Sequence, residues 1–126
     1  MTILIDPRST KPIYEQIADQ IRAAILQGDC PADTPLPSIR ALAGELKVSV
    51  ITTKRAYEEL ESQGFLYTVP GKGCFVSPVT PARAGAYVQG EIKVHLRQVR
   101  RLMALGGLRR EQVQALWEEL QDEHTV

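Results

Sequence analysis

The tightest constraint in this chain is a pair of short amphipathic segments, each opened by a serine and joined by a tight turn. Ser38 is placed to cap a helix over about 38–46, whose Ile39, Leu42, Ala43 and Leu46 fall on one face. Val48 interrupts the pattern. Ser49 then caps a second helix over about 50–62, with Thr53, Ala56, Tyr57 and Leu60 facing inward and Gly64 as its stop. Two short helices separated by so little chain predict a helix-turn-helix.

The flanking segments extend the prediction. Ile13, Ile17, Ile21 and Ile25 recur at every fourth residue, broadened by Tyr14, Ala18 and Ala24. That spacing predicts a helix over about 11–27, with Pro12 in its first turn and Gly28 at its end. The segment Cys30 to Pro37 holds three prolines and reads as an irregular connection. Downstream, Phe65-Leu66-Tyr67-Thr68-Val69 and Cys74-Phe75-Val76 are rich in strand formers. Between them Pro70-Gly71 suits a turn that needs φ near −65° and then a positive φ. The hairpin, about 65–77, follows three helices, so residues 1–78 predict a winged helix-turn-helix domain, mainly α with a small β element (α+β).

Residues 79–126 read as a linker, Pro78 to Gly85, and then a two-helix hairpin. Val88, Ile92, Leu96, Val99 and Met103 trace a stripe on a helix over about 84–104. Gly106-Gly107 breaks it, and Leu108, Val113, Leu116, Trp117 and Leu120 mark a second helix over about 109–122. A 20-residue helix is about 30 Å long, too long for a domain of this size to cover. The stripe is therefore expected to be a homodimer interface formed by Val88, Ile92, Leu96, Val99, Met103, Val113, Leu116, Trp117 and Leu120. Folding back onto the first domain is the alternative.

Composition excludes several classes. The chain of 126 residues is 44% hydrophobic and 24% charged, ordinary globular usage rather than that of a disordered or fibrous protein. It lacks a run of about 18 apolar residues, so no membrane span is expected. The start, Met1 to Pro7, does not read as a secretory signal, so a cytoplasmic protein is expected. Cys30 and Cys74 are isolated, Cys74 reading as a small buried thiol, and His95 and His124 stand apart from each other. No metal site, cofactor loop or nucleophile–base pairing is legible, so no metal, no cofactor and no enzyme are expected. Net charge is zero, but within 34–57 Arg40, Lys47, Lys54 and Arg55 face only Glu45. A small basic face on a neutral body suits short-range contact with a polyanion.

The stretch Leu36-Pro37-Ser38-Ile39-Arg40-Ala41-Leu42-Ala43 resembles the DNA-binding domain of the bacterial GntR family. So do Val48-Ser49, Ala56-Tyr57-Glu58-Glu59-Leu60-Glu61, Gly64-Phe65-Leu66 and Gly71-Lys72-Gly73-Cys74-Phe75-Val76. Pro12-Ile13-Tyr14-Glu15-Gln16-Ile17 adds to the resemblance, which covers about 11–77. The short length, with only two helices after the hairpin, is similar to the YtrA-like subfamily. The resemblance implies a homodimeric transcriptional regulator, a repressor, on a palindromic double-stranded operator, and control of an operon that includes a transporter. The family's arginine near the start of the recognition helix is Val50 here, followed by Ile51.

The expected DNA-contacting set is Ser38, Arg40, Ser49, Val50, Ile51, Thr52, Lys54, Gly71, Lys72 and Gly73. Ser49 and Thr52 offer hydroxyls, and Val50 and Ile51 offer methyl groups to thymine. Lys54 is within reach of a phosphate or guanine. The alternative is that Ser49 only caps and that Val50 or Ile51 packs in the core. Arg40 matches the family position that grips the backbone, where a guanidinium binds phosphate bidentately. Lys72, between Gly71 and Gly73, suits the minor groove, although hairpin geometry alone also explains the glycines. Arg97, Arg100 and Arg101 read as a solvated face. A small-molecule effector between the last two helices is left open and unnamed. The competing function is a winged helix used only for protein interaction, which the basic set Arg40, Lys54 and Lys72 argues against.

Overall fold

The computed structural model describes residues 1–124; Thr125 and Val126, at the end of the 79–126 region, lie outside the described residues. The order is α1 (Ile13–Leu26), α2 (Ile39–Leu46), α3 (Val50–Ser62), β1 (Leu66–Val69), β2 (Gly73–Val76), α4 (Pro81–Gly106) and α5 (Arg110–His124). The chain divides into two compact units, Met1–Pro81 and Ala82–Val126.

In the first unit α3 is the central element and packs against α1, α2 and β1. Its buried residues are Thr53, Ala56, Tyr57 and Leu60, the face that helical periodicity predicts. Ile17, Ala18, Ile21 and Ile25 of α1, Leu42 and Ala43 of α2, and Phe65, Leu66 and Val76 of the hairpin complete the core. The α1 stripe is narrower than its sequence pattern, because Ile13 at its start is exposed. Pro12 stands just outside the helix as its N-cap, with φ −54° and ψ 147°, rather than in the first turn. Gly28, at φ 86°, reverses the chain after α1 and lets the Asp29 N–H donate to the Ala24 carbonyl at 2.9 Å.

β1 and β2 pair antiparallel with Leu66 opposite Val76 and Val69 opposite Gly73. The turn closes through the Lys72 N–H to the Val69 carbonyl at 2.9 Å, with Gly71 at φ 77°. The proline-rich connection is less irregular than expected. Asp33 N–H donates to the Val76 carbonyl at 2.7 Å, Val76 N–H to the Thr34 carbonyl at 3.0 Å, and Leu36 N–H to the Cys74 carbonyl at 2.9 Å. Prolines cannot donate, but the residues between them can, so this segment lies along the β2 edge and covers it. Cys30 is the buried thiol; Cys74, expected to be buried, is only partly so, and burial still pushes its pKa up.

The expected linker over 78–85 is a correction. α4 begins at Pro81, three residues after Pro78, and residues 81–85 are helical. Pro81 occupies the first turn, where a missing N–H costs nothing, and Ala82, Arg83 and Ala84 are strong helix formers. α4 runs through Gly85 and Gly90 without a break and ends at the predicted glycine pair, Gly107 taking φ 66°. α5 opens with the Gln112 side chain accepting from the Arg109 N–H at 2.9 Å. No helix among the described residues is long and apolar enough to cross a membrane.

A candidate nucleic-acid interface

Local chemistry sets the α2–α3 corner. Ser38 Oγ accepts from the Ala41 N–H at 3.1 Å, which starts α2. Lys47 ends it in the left-handed region at φ 58°, and the Val48 N–H returns to the Ala43 carbonyl at 3.0 Å. Ser49 Oγ accepts from the Thr52 N–H at 3.0 Å and donates to Thr52 Oγ1 at 2.7 Å. One residue on, the buried Thr53 hydroxyl donates to the Ser49 carbonyl at 3.2 Å. Tyr57 ties the corner together: its hydroxyl donates to the Pro37 carbonyl, just before α2, at 2.7 Å. Burial drives the Tyr57 pKa far up, so the phenol stays a donor at any working pH.

With the corner fixed, the first turn of α3 is presented to solvent. Ile51 is 80% exposed and Val50 43%, so neither is a core residue. Two apolar side chains at the solvent face of a helix start have no packing reason to be there. The hydroxyls beside them are differently placed. Ser49 and Thr52 bond to each other and to the helix end, and Ser38 is likewise engaged as a cap. Their first role is to hold the backbone.

The basic residues sort by partner. Arg55 lies over the Tyr14 ring at 3.9 Å from its centroid, a link between α3 and α1 that sequence spacing does not reveal. Lys54 pairs with Glu58 at 3.9 Å, both side chains 64% exposed. Such a pair is worth only about 0.3–0.5 kcal/mol, so Lys54 is readily exchanged onto another anion. Arg40 and Lys72 are exposed and form no ion pair among the described residues. Gly71 and Gly73, at φ 77° and 122°, are required by backbone conformation. A Cβ built at either would meet nothing, so their surface is open.

Arg22 is a structural residue that sequence spacing does not reveal. It is buried, donates to Gln63 Oε1 at 2.6 and 3.0 Å and to Asp19 Oδ1 at 3.0 Å, and lies over Phe65. Gln16 and Gln20 likewise hold the residues before α1. Gln20 exchanges hydrogen bonds with the Leu4 backbone at 2.9 and 2.7 Å, and Gln16 does so with Asp6 at 2.8 and 3.1 Å. Only the polar spacing of four on α1 hints at this.

In the second unit the residues expected to form a dimer seam stay open. No residue of α4 is buried. Leu96 is 56% and Trp117 57% exposed, and Val99, Met103 and Val113 are half-buried. Between α4 and α5 lies an open groove of about 850 Å³ with Leu96, Val99, Met103, Val113 and Trp117 as its apolar lining.

Three helices, a paired hairpin and an exposed second-helix start define a winged helix-turn-helix protein. The profile of the bacterial regulatory proteins of the gntR family matches residues 13–76. The chain belongs to that family. It is 43% identical over 75 residues to the HTH-type transcriptional repressor YtrA of Bacillus subtilis (strain 168), a match covering 60% of this chain and 58% of that one. The chain thus spans less than two thirds of that relative. Among solved structures it is similar to YtrA from Sulfolobus acidocaldarius, a GntR-family transcription factor, at TM-score 0.65 and 33% identity, covering 79% of this chain and 97% of that one. It is also similar to AraR(DBD) in complex with operator ORE1, at TM-score 0.52 and 32% identity, covering 61% and 94%.

Proposed function

We propose that this protein is a sequence-specific, DNA-binding transcriptional regulator, a repressor, that acts as a homodimer on a palindromic operator. The observation that carries the proposal is the pair Val50 and Ile51, solvent-facing at the capped start of α3 in a fold of this family. In a helix-turn-helix the first residues of the second helix meet base edges in the major groove. Apolar side chains there read methyl groups and shape, because they cannot donate hydrogen bonds.

Around them the division of labour follows from chemistry. Arg40 grips a phosphate bidentately, Lys54 leaves Glu58 for a phosphate or guanine, and Lys72 enters the minor groove between two glycines. Ser38, Ser49 and Thr52 present helix-end amides to the backbone. The C-terminal helices pair two copies, through Leu96 and Val99 of α4 and Leu116 and Trp117 of α5 among others, so that two-fold protein meets two-fold DNA. The relatives' names, a repressor and a domain in complex with its operator, support this reading. It involves no catalysis and places the protein in the cytoplasm.

Selection of binders from a random duplex pool by the full chain tests it. Inverted repeats with half-sites about one helical turn apart are expected. Recovery of no consensus, with binding that tracks salt alone, would leave only non-specific affinity and overturn the proposal.

A further inference from the structure

The second unit separates its charges along the chain. Residues 93–110 contain Lys93, Arg97, Arg100, Arg101, Arg109 and Arg110 and no acid. Residues 111–123 contain Glu111, Glu118, Glu119, Asp122 and Glu123 and no Lys or Arg. Helical spacing orders these charges against the apolar rows. Lys93, Arg97 and Arg100, four and three apart, flank Leu96 and Met103 and line the groove. Glu119 and Glu123, four apart, flank Leu116 and Leu120 on the edge of the α5 stripe. Among the described residues Arg97, Arg100, Glu119 and Glu123 form no ion pair within the chain.

We infer that the groove is filled by α5 of a second copy, with its Glu119–Glu123 edge on the Lys93–Arg97–Arg100 row. The inference rests on the homodimer reading above and adds its register. An isologous two-fold contact repeats every pairing, so α5 of each copy lies on α4 of the other. Apolar surface supplies the cohesion, and the charges fix which edge meets which. Parallel stacking of like elements, α4 on α4 with basic row against basic row, is disfavoured by like-charge repulsion.

The test uses two full-length variants, Arg97→Glu with Arg100→Glu and Glu119→Lys with Glu123→Lys, followed by sedimentation velocity in about 0.1 M salt. Each variant alone sets like charges against each other in both symmetric contacts. Self-association of each should weaken roughly a hundredfold relative to wild type. Mixed one to one, the two variants restore opposite charges at both contacts, so a heterodimer should form at close to wild-type affinity. A mixture that stays monomeric would place the pairing within one chain and overturn the inference, as would variants that dimerise as tightly as wild type. The wild-type dimer gives an independent reading: its dissociation constant should rise with salt, and a flat response overturns the register as well. A wild type that never dimerises contradicts the homodimer reading itself, which separates the two failures.

Discussion

α1 and α4 are both amphipathic helices with a four-and-three apolar rhythm, yet they end differently. α1, of 14 residues, buries seven of them against α3 and the preceding segment. α4, of 26 residues, buries none. Periodicity therefore specifies that a face wants cover but not what covers it. For α1 the partner lies in the same unit; for α4 the stripe stays half-exposed. Burying it is worth about 25 cal/mol per Å² of apolar surface, a gain that a second copy can collect.

The largest expected effect comes from spoiling the uncovered stripe. Leu96→Asp with Val99→Asp places unpaired charges in the proposed seam and should give monomers by sedimentation. Operator affinity should fall roughly a thousandfold, because two linked heads become two independent ones. The helix-turn-helix unit should remain folded by circular dichroism. Loss of all helical signal would mean that α4 belongs to the first unit's core.

The matching change in the covered region is Leu60→Ala. Leu60 is fully buried in the last turn of α3, and its truncation should cost about 2–5 kcal/mol in chemical denaturation, independent of protein concentration. A concentration-dependent cost would tie the first unit's stability to assembly and erase the contrast between the two regions.

What the sequence made legible follows the same division. The buried face of α3, the caps Ser38 and Ser49 and the positive φ of Gly71 all follow from local rules, where one residue and its near neighbours decide. Non-local pairings were hidden. The lining of β2 by residues 33–36 is made by backbone groups among prolines, which sequence patterns read as a break. Arg22 on Gln63, Arg55 on Tyr14 and the N-terminal segment on Gln16 and Gln20 join positions whose closeness only the fold creates. At the site, the residue pattern leaves Val50 and Ile51 either reading DNA or packing in the core, and their exposure removes the core alternative. The exchange of Cys74 for Cys30 as the buried thiol has a simpler cause: Cys30 follows a helix end packed on the core, whereas Cys74 faces a strand of a two-stranded sheet.

Smaller effects sharpen the reading surface. Arg40→Ala should weaken binding about tenfold on specific and random duplex alike, and lower the salt slope by about one per subunit. A loss confined to one sequence would instead assign Arg40 to a base. Replacing one thymine by uracil opposite the start of α3 removes only a methyl and should cost on the order of 1 kcal/mol. If no position in the half-site shows a loss, specificity resides in Lys54, the hairpin or DNA shape rather than in Val50 and Ile51.

In the proposed regulator one unit reads DNA and the other makes two readers act together. Titrating the full chain and a fragment of residues 1–81 against a single half-site and against the complete two-fold operator tests it directly. Equal affinities are expected on the half-site, with the full chain binding the complete operator roughly a hundredfold or more tighter than the fragment. A fragment that binds the complete operator as tightly as the full chain would contradict it.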